Sequence, residues 1–138
     1  GQNLPLSGTV FISVKNKDKR AVVFIAKKLV DIGFDLVATS GTANVLSRSG
    51  IPVNNVFKLH EGRPNILDLI KNGEIEIIIN TPAGKATKVD ETKIRSLAVS
   101  KGVPCITTIS GAQATVNGIE SLIKKGLSVK AIQDYHRV

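Results

Sequence analysis

A chain of 138 residues with 42% apolar and 22% charged residues has ordinary globular composition. It excludes wholesale disorder and fits one domain that buries about two-thirds of the surface its unfolded form exposes. With 19 basic against 11 acidic residues the net charge is +8, which favours anionic partners: nucleotides, phosphorylated metabolites, nucleic acid or an acidic neighbouring surface.

The single cysteine, Cys105, excludes an internal disulfide and suits a reducing cytoplasm. No apolar run approaches the ~18 residues of a membrane span, so the expectation is a soluble cytoplasmic protein with no membrane partner. Methionine is absent. Gly1 is therefore no initiator, and the expectation is a processed chain or a piece of something larger.

Residues 1 to 8 hold Gly1, Pro5 and Gly8 without periodicity and read as a linker, with the domain proper at 9–138. The β-branched run TVFISV opens it as a strand. Apolar spacing through Val22, Ile25, Leu29 and Ile32 then predicts a helix that Gly33 ends. FDLVAT repeats the strand signal, and the helix after Gly41 runs through Val45 and Leu46 to Gly50. VNNVFKL reads as a weaker, partly exposed third strand. Beyond HEGRP, Pro64 suits a first helical turn, and Ile66, Leu69 and Ile70 mark a helix closed by Asn72-Gly73.

IEIIIN is the most apolar strand, of the kind covered on both faces of a parallel sheet. Asp90 suits the cap of the next helix, whose stripe is Ile94, Leu97 and Ala98. VPCIT is a fifth strand, and Ser110 to Lys125 a last helix burying Ile119, Leu122 and Ile123. This alternation predicts an α/β fold: a single Rossmann-like three-layer domain with an about five-stranded, mostly parallel sheet and helices on both faces.

In such a sheet ligands sit beyond the carboxyl ends of the strands. The first end carries Ser13, Lys15 and Lys19, the second Thr39, Ser40, Gly41 and Thr42, and the third Lys58, His60 and Arg63. The fourth carries Asn80, Thr81 and Lys85, and the fifth Thr107, Thr108 and Ser110. All are polar, and nearly all their charge is positive. Gly41 lets backbone approach a ligand, the following helix offers exposed amides, the Thr39 and Thr42 hydroxyls can donate to phosphate oxygens, and Lys19 and Lys58 add full charges.

Taken singly, each has a plainer role. Threonine after a strand is often an N-cap, the lysines could be solvated, His60 and Glu61 could form a loop pair, and Asn80 could close a strand. Their shared edge favours a phosphate cradle.

These same residues carry a family resemblance. FISV with Lys19, GFDLVATSGTANVL, KLHEGRPNILDLIKNGEIEIIINT and IRSLAVSKGVPCITT resemble the methylglyoxal-synthase-like domain, specifically the C-terminal allosteric domain of bacterial-type carbamoyl-phosphate synthase large subunits. The match runs from residue 9 to about 125.

The resemblance implies a non-catalytic regulatory domain of a glutamine-dependent, ATP-dependent ligase making carbamoyl phosphate for pyrimidine and arginine biosynthesis. It implies UMP as inhibitor and IMP as activator at one shared site, with ornithine activating from the contact with a neighbouring domain. With the cradle reading, the phosphate set is Lys19, Thr39, Ser40, Gly41, Thr42 and Lys58. Asn80, Thr81 and Lys85 surround ribose and base, and Thr107 contributes to the ornithine site. The hydroxyl that often follows Asn-Thr in the family is replaced by Pro82, so that contact is not carried over.

No catalytic residue, metal or cofactor is implied for the domain itself. ATP, Mg and K belong to the preceding ATP-grasp domains, and a glutaminase small subunit completes the parent complex. Segments 58–64 and 81–92 are the expected moving parts. Lys58 and the intact HEGRP favour the nucleotide-regulated branch over the one regulated by N-acetylglutamate.

Methylglyoxal synthase itself is the main alternative. Its elimination of phosphate from dihydroxyacetone phosphate needs a carboxylate base, yet EGRPN places Arg63 where that family of enzymes has aspartate, and a guanidinium cannot act as a base. A nucleic-acid-binding module is a second alternative. Four Phe and one Tyr supply few stacking platforms for it. Cys105, mid-strand, reads as core rather than nucleophile, and the two histidines make no metal-ligand spacing.

Overall fold

Side-chain alternation along the first strand decides the layering. In β1 (Thr9–Ser13) Val10 and Ile12 point into one core while Phe11 points into another. The computed structural model describes residues 4–82 and 88–136. Its strands β2 (Asp35–Ala38), β3 (Asn54–Asn55), β4 (Ile77–Asn80) and β5 (Cys105–Ile106) join β1 in one wholly parallel sheet of order β3-β2-β1-β4-β5. Residues Ile77, Ile78, Ile79 and Asn80 of β4 are all buried, as expected of a central parallel strand.

Among the described residues five α-helices cover the sheet. The larger core takes Val22, Ile25 and Leu29 of α1 (Lys19–Asp31), Leu46 of α2 (Ser40–Arg48) and Val116 and Ile119 of α5 (Ile109–His136). The smaller core takes Ile66 and Ile70 of α3 (Ile66–Lys71) and Ile94 and Ala98 of α4 (Lys88–Lys101). Helices thus lie on both faces, and the three-layer α/β expectation holds.

Several boundaries differ from the sequence expectation. The third strand shrinks to two exposed residues at the sheet edge, because VNNVFKL lacks the apolar alternation that a buried face requires. Pro64 does not open α3. Asn65 does, its side chain accepting from the Leu67 and Asp68 N–H groups at 3.0 and 3.3 Å while Asp68 accepts from the Asn65 N–H at 2.8 Å. A carboxamide oxygen satisfies helix amides that proline cannot.

Asp90 likewise lies inside the first turn of α4 rather than at its cap. The last helix continues past Lys125 to His136, since the one glycine in its path, Gly126, costs a helix only about 1 kcal/mol. Leu122 is 44% exposed rather than buried. Among the described residues no helix is long and apolar enough to cross a membrane.

Asp68 also receives a two-pronged hydrogen bond from Arg63, at 2.7 and 3.2 Å. These contacts, the Arg63 hydrogen bond first and the Asn65 N–H next, hold its carboxyl at about 2, below the ordinary 3.8. A depressed carboxyl contributes stability above its unfolded value and loses it as the folded value is approached from above. The contribution of Asp68 is therefore complete above about pH 4 and fades towards pH 2. Asn65→Ala should lower stability by about 1 kcal/mol. Asp68→Asn should flatten the acid limb of a denaturation-versus-pH curve between those two values, and an unchanged limb would refute the role of this box.

Candidate functional site

Strands β1 and β4 are neighbours, with Ser13 in register with Asn80, yet the chain leaves them in opposite directions along the sheet. Loops after the two strands therefore diverge and leave a crevice beyond their carboxyl ends. A cavity of about 360 Å³ occupies it. Phe11, Ile66 and Ile94 give it an apolar base.

Ser13, Lys15, Asn16 and Lys19 line it from the end of β1 to the start of α1, Thr39 from the end of β2, Lys58 and Leu59 from the turn after β3, Asn80 and Thr81 from the end of β4, and Asp90 and Glu91 from the first turn of α4. Polar groups converging on an enclosed apolar floor are what a small-molecule site requires.

Hydroxyls stitch this rim together. The Thr39 and Ser13 hydroxyls lie 3.1 Å apart. Thr81 accepts the Lys15 N–H at 2.9 Å and gives its own N–H to the Ser13 carbonyl at 3.1 Å. Thr42 accepts the buried Val14 N–H at 3.2 Å. These bonds consume backbone donors that burial would otherwise leave unpaired.

The second corner explains its composition. Thr39 occupies the N-cap position of α2 with extended backbone, but its side chain makes no capping hydrogen bond. The first intrahelical bond is Ala43 N–H to the Thr39 carbonyl, so the amides of the preceding turn point outward with the helix's positive end. At Gly41 a Cβ would fall 2.9 Å from the Lys19 ammonium. Lys19 thus lies over the start of α2, held by the Asn16 carboxamide oxygen at 2.6 Å. Glycine is there because the ammonium needs the space.

Most expected site residues meet here. Lys19, Thr39, Lys58, Asn80 and Thr81 line the cavity, and Ser40 and Gly41 form the α2 turn beside it. Thr42 sits behind that turn, 2% exposed and committed to Val14. Thr107 is exposed beyond β5 and does not line the cavity. Lys85 lies outside the described residues, as does part of the expected moving segment 81–92.

Sequence alone gives Asp90 only a capping role and singles out none of Asn16, Leu59 and Glu91. Asp90 lines the cavity and receives the His60 Nε2 at 2.9 Å, so His60 pairs with it rather than with Glu61. Glu91, buried beside it, also lines the cavity. The signal available was positional: the helix after the fourth strand must begin at the same edge.

Arg63, by contrast, is turned onto Asp68 and does not line the cavity. Burial pushes the Cys105 thiol up, with Arg95 opposing, which leaves it a poor nucleophile. Among the described residues no group of three or more His, Cys, Asp or Glu could hold a metal ion.

Fold and site together define an open parallel α/β domain with a basic crevice at its topological switch point. The chain belongs to the MGS-like domain family, whose model matches residues 21–107. It is 47% identical over 135 residues to a carbamoyl phosphate synthase large chain of Nostoc sp., covering 98% of this chain and 12% of that one. It is also 47% identical over 136 residues to the arginine-specific chloroplastic large chain of Oryza sativa subsp. japonica, again 98% and 12%.

The chain thus spans 12% of the length of these relatives. In structure it resembles methylglyoxal synthase from Elizabethkingia anophelis NUHP1, with a TM-score of 0.64, 18% identity and coverage of 82% of this chain and 79% of that one. That likeness concerns the fold.

Thr42→Val should leave the Val14 N–H without its acceptor inside the fold and lower stability by about 1–3 kcal/mol. Chemical denaturation measures this, and a variant as stable as the parent would show that the hydroxyl has no structural duty.

Proposed function

We propose that this chain is the regulatory domain of a carbamoyl phosphate synthase large subunit and that its crevice holds the phosphate of a nucleotide effector. One observation carries the reading: the Lys19 ammonium rests against the uncapped, positive start of α2. Two positive groups so placed repel each other until an anion sits between them and the solvent, and a phosphate dianion satisfies both. Lys58, on the turn after β3, adds further positive charge to the same cavity.

Ser40, Gly41 and Thr42 supply the turn, and Asn80 and Thr81 meet ribose or base, with Lys85 included on resemblance alone. UMP, as inhibitor, and IMP, as activator, compete for this one site. Thr107, exposed beyond β5, contributes to ornithine binding at the contact with the preceding ATP-grasp domains.

The names of the relatives, one of them arginine-specific, support a parent ligase serving arginine and pyrimidine synthesis. That parent would use ATP with Mg and K, and a glutaminase small subunit would supply ammonia. The domain acts without catalysis of its own, since the position of the enzyme family's basic carboxylate holds Arg63, bound to Asp68. An effector regulates a remote centre here by binding two conformations of the parent unequally.

Titration calorimetry with UMP, IMP, ornithine and N-acetylglutamate tests the assignment. Lys19→Gln and Lys58→Gln should each weaken UMP about tenfold or more, the worth of a hydrogen bond to a charged group, and leave uridine binding unchanged. Equal losses for both ligands would overturn the phosphate role.

Gly41→Ala separates site from fold. Its backbone is unstrained and the clash is with the tip of a flexible lysine, so thermal stability should hold or rise slightly. UMP affinity should fall severalfold as the ammonium is displaced. Unchanged affinity would sink the proposed geometry.

A further inference from the structure

Two walls of the cavity come from segments with no shared secondary structure. One is the turn after β3, where Lys58 and Leu59 line the space; the other is the first turn of α4, where Asp90 and Glu91 do. The first wall has little sheet to hold it, since β3 is two residues long and the chain beyond it makes one isolated bridge, Phe57 to Asn65.

The turn is instead braced by itself. The Lys58 N–H donates to the Glu61 carboxylate at 2.7 Å and the Glu61 N–H to the Lys58 carbonyl at 3.1 Å. His60 sits at the tip of this brace, and its Nε2 meets the Asp90 carboxylate 2.9 Å away. The His60 side chain is 79% exposed and that of Asp90 24%, so the bridge lies at the solvent rim of the cavity.

We infer that His60 is a positioning residue for effector binding, clasping Asp90 so that the Lys58 turn is held against α4 across the cavity rim. This rests on the nucleotide reading of the crevice. A pair this exposed is too weak to hold a fold together, but it suffices to bias a braced turn between two positions. Because Lys58 shares that turn, an open clasp carries its ammonium away from the corner at Thr39 and Gly41.

The same bridge occupies the Asp90 carboxylate with a partner at the cavity rim. The clasp therefore acts on how long a bound anion stays, and entry or exit of a ligand requires it to open.

Stopped-flow release of UMP from the full chain tests the inference in the parent, His60→Ala, Asp90→Asn and the double variant. Each single change should speed release roughly two- to fivefold, the range expected for an exposed ion pair. The double variant should be no faster than the faster single, with melting temperatures unmoved. An unchanged release rate in His60→Ala, or effects that multiply in the double variant, would overturn the clasp while leaving the phosphate site intact.

Amide exchange without ligand gives a second readout. In His60→Ala the Lys58 and Glu61 amides should exchange faster, and unaltered protection there would also overturn the clasp. A parent chain that ignores UMP altogether would sink the nucleotide reading, and the exchange data would then decide the clasp alone.

Discussion

Strands β1 and β4 lie side by side while the chain departs from them in opposite directions, and the site exists because of that divergence. Were both followed by crossovers on the same face, the loops would pack together and bury the strand ends. Separated, they leave Ser13 and Asn80 lining an open crevice, and the starts of α1 and α4 contribute Lys19, Asp90 and Glu91 to it. The sheet can tolerate this because its central strands are sealed on both faces: Val10, Ile12, Ile77 and Ile79 against one helical layer, Phe11 and Ile78 against the other. A rigid floor is thus provided by burial, and the polar rim above it is free to specialise.

At the rim the electrostatics run against simple stability. A lysine is held over the positive end of a helix, and the threonine best placed to cap that helix is hydrogen-bonded to Ser13 instead. Elsewhere in the same molecule a helix start is fully satisfied: α3 has a reciprocal capping box built from Asn65 and Asp68. At the α2 corner, by contrast, helix donors and a lysine's charge lie together at the cavity edge, an arrangement suited to an anion.

The acidic wall balances this. Asp90 and Glu91 line the cavity together with Lys15, Lys19 and Lys58, so the crevice is mixed in charge rather than uniformly basic. On the proposed function, such a field would orient an asymmetric ligand, with its phosphate towards α2 and away from the carboxylates. His60 tempers the acidic side by engaging Asp90 at the rim. A net charge of +8 brings anions to the surface, and the local arrangement decides how they dock.

Sequence alone determined the alternation of strands and helices, the two-sided burial of IEIIIN and the gathering of Lys19, Thr39, Gly41, Lys58 and Asn80 at one edge, because period and strand-end position are local properties. It misread features fixed by contact between distant segments. The proline of HEGRP suggested a helix start that the carboxamide of Asn65 actually makes, and Asp90 looked like a cap although its partner is His60, thirty residues away along the chain. Glu91 gave no local sign of lining a cavity, and nothing in the sequence around Thr42 showed that its hydroxyl also accepts the Val14 N–H. Propensity and spacing describe what a residue can do with its neighbours in sequence. Which of several possible hydrogen bonds it makes is settled only when packing of the cores fixes the distance between loops.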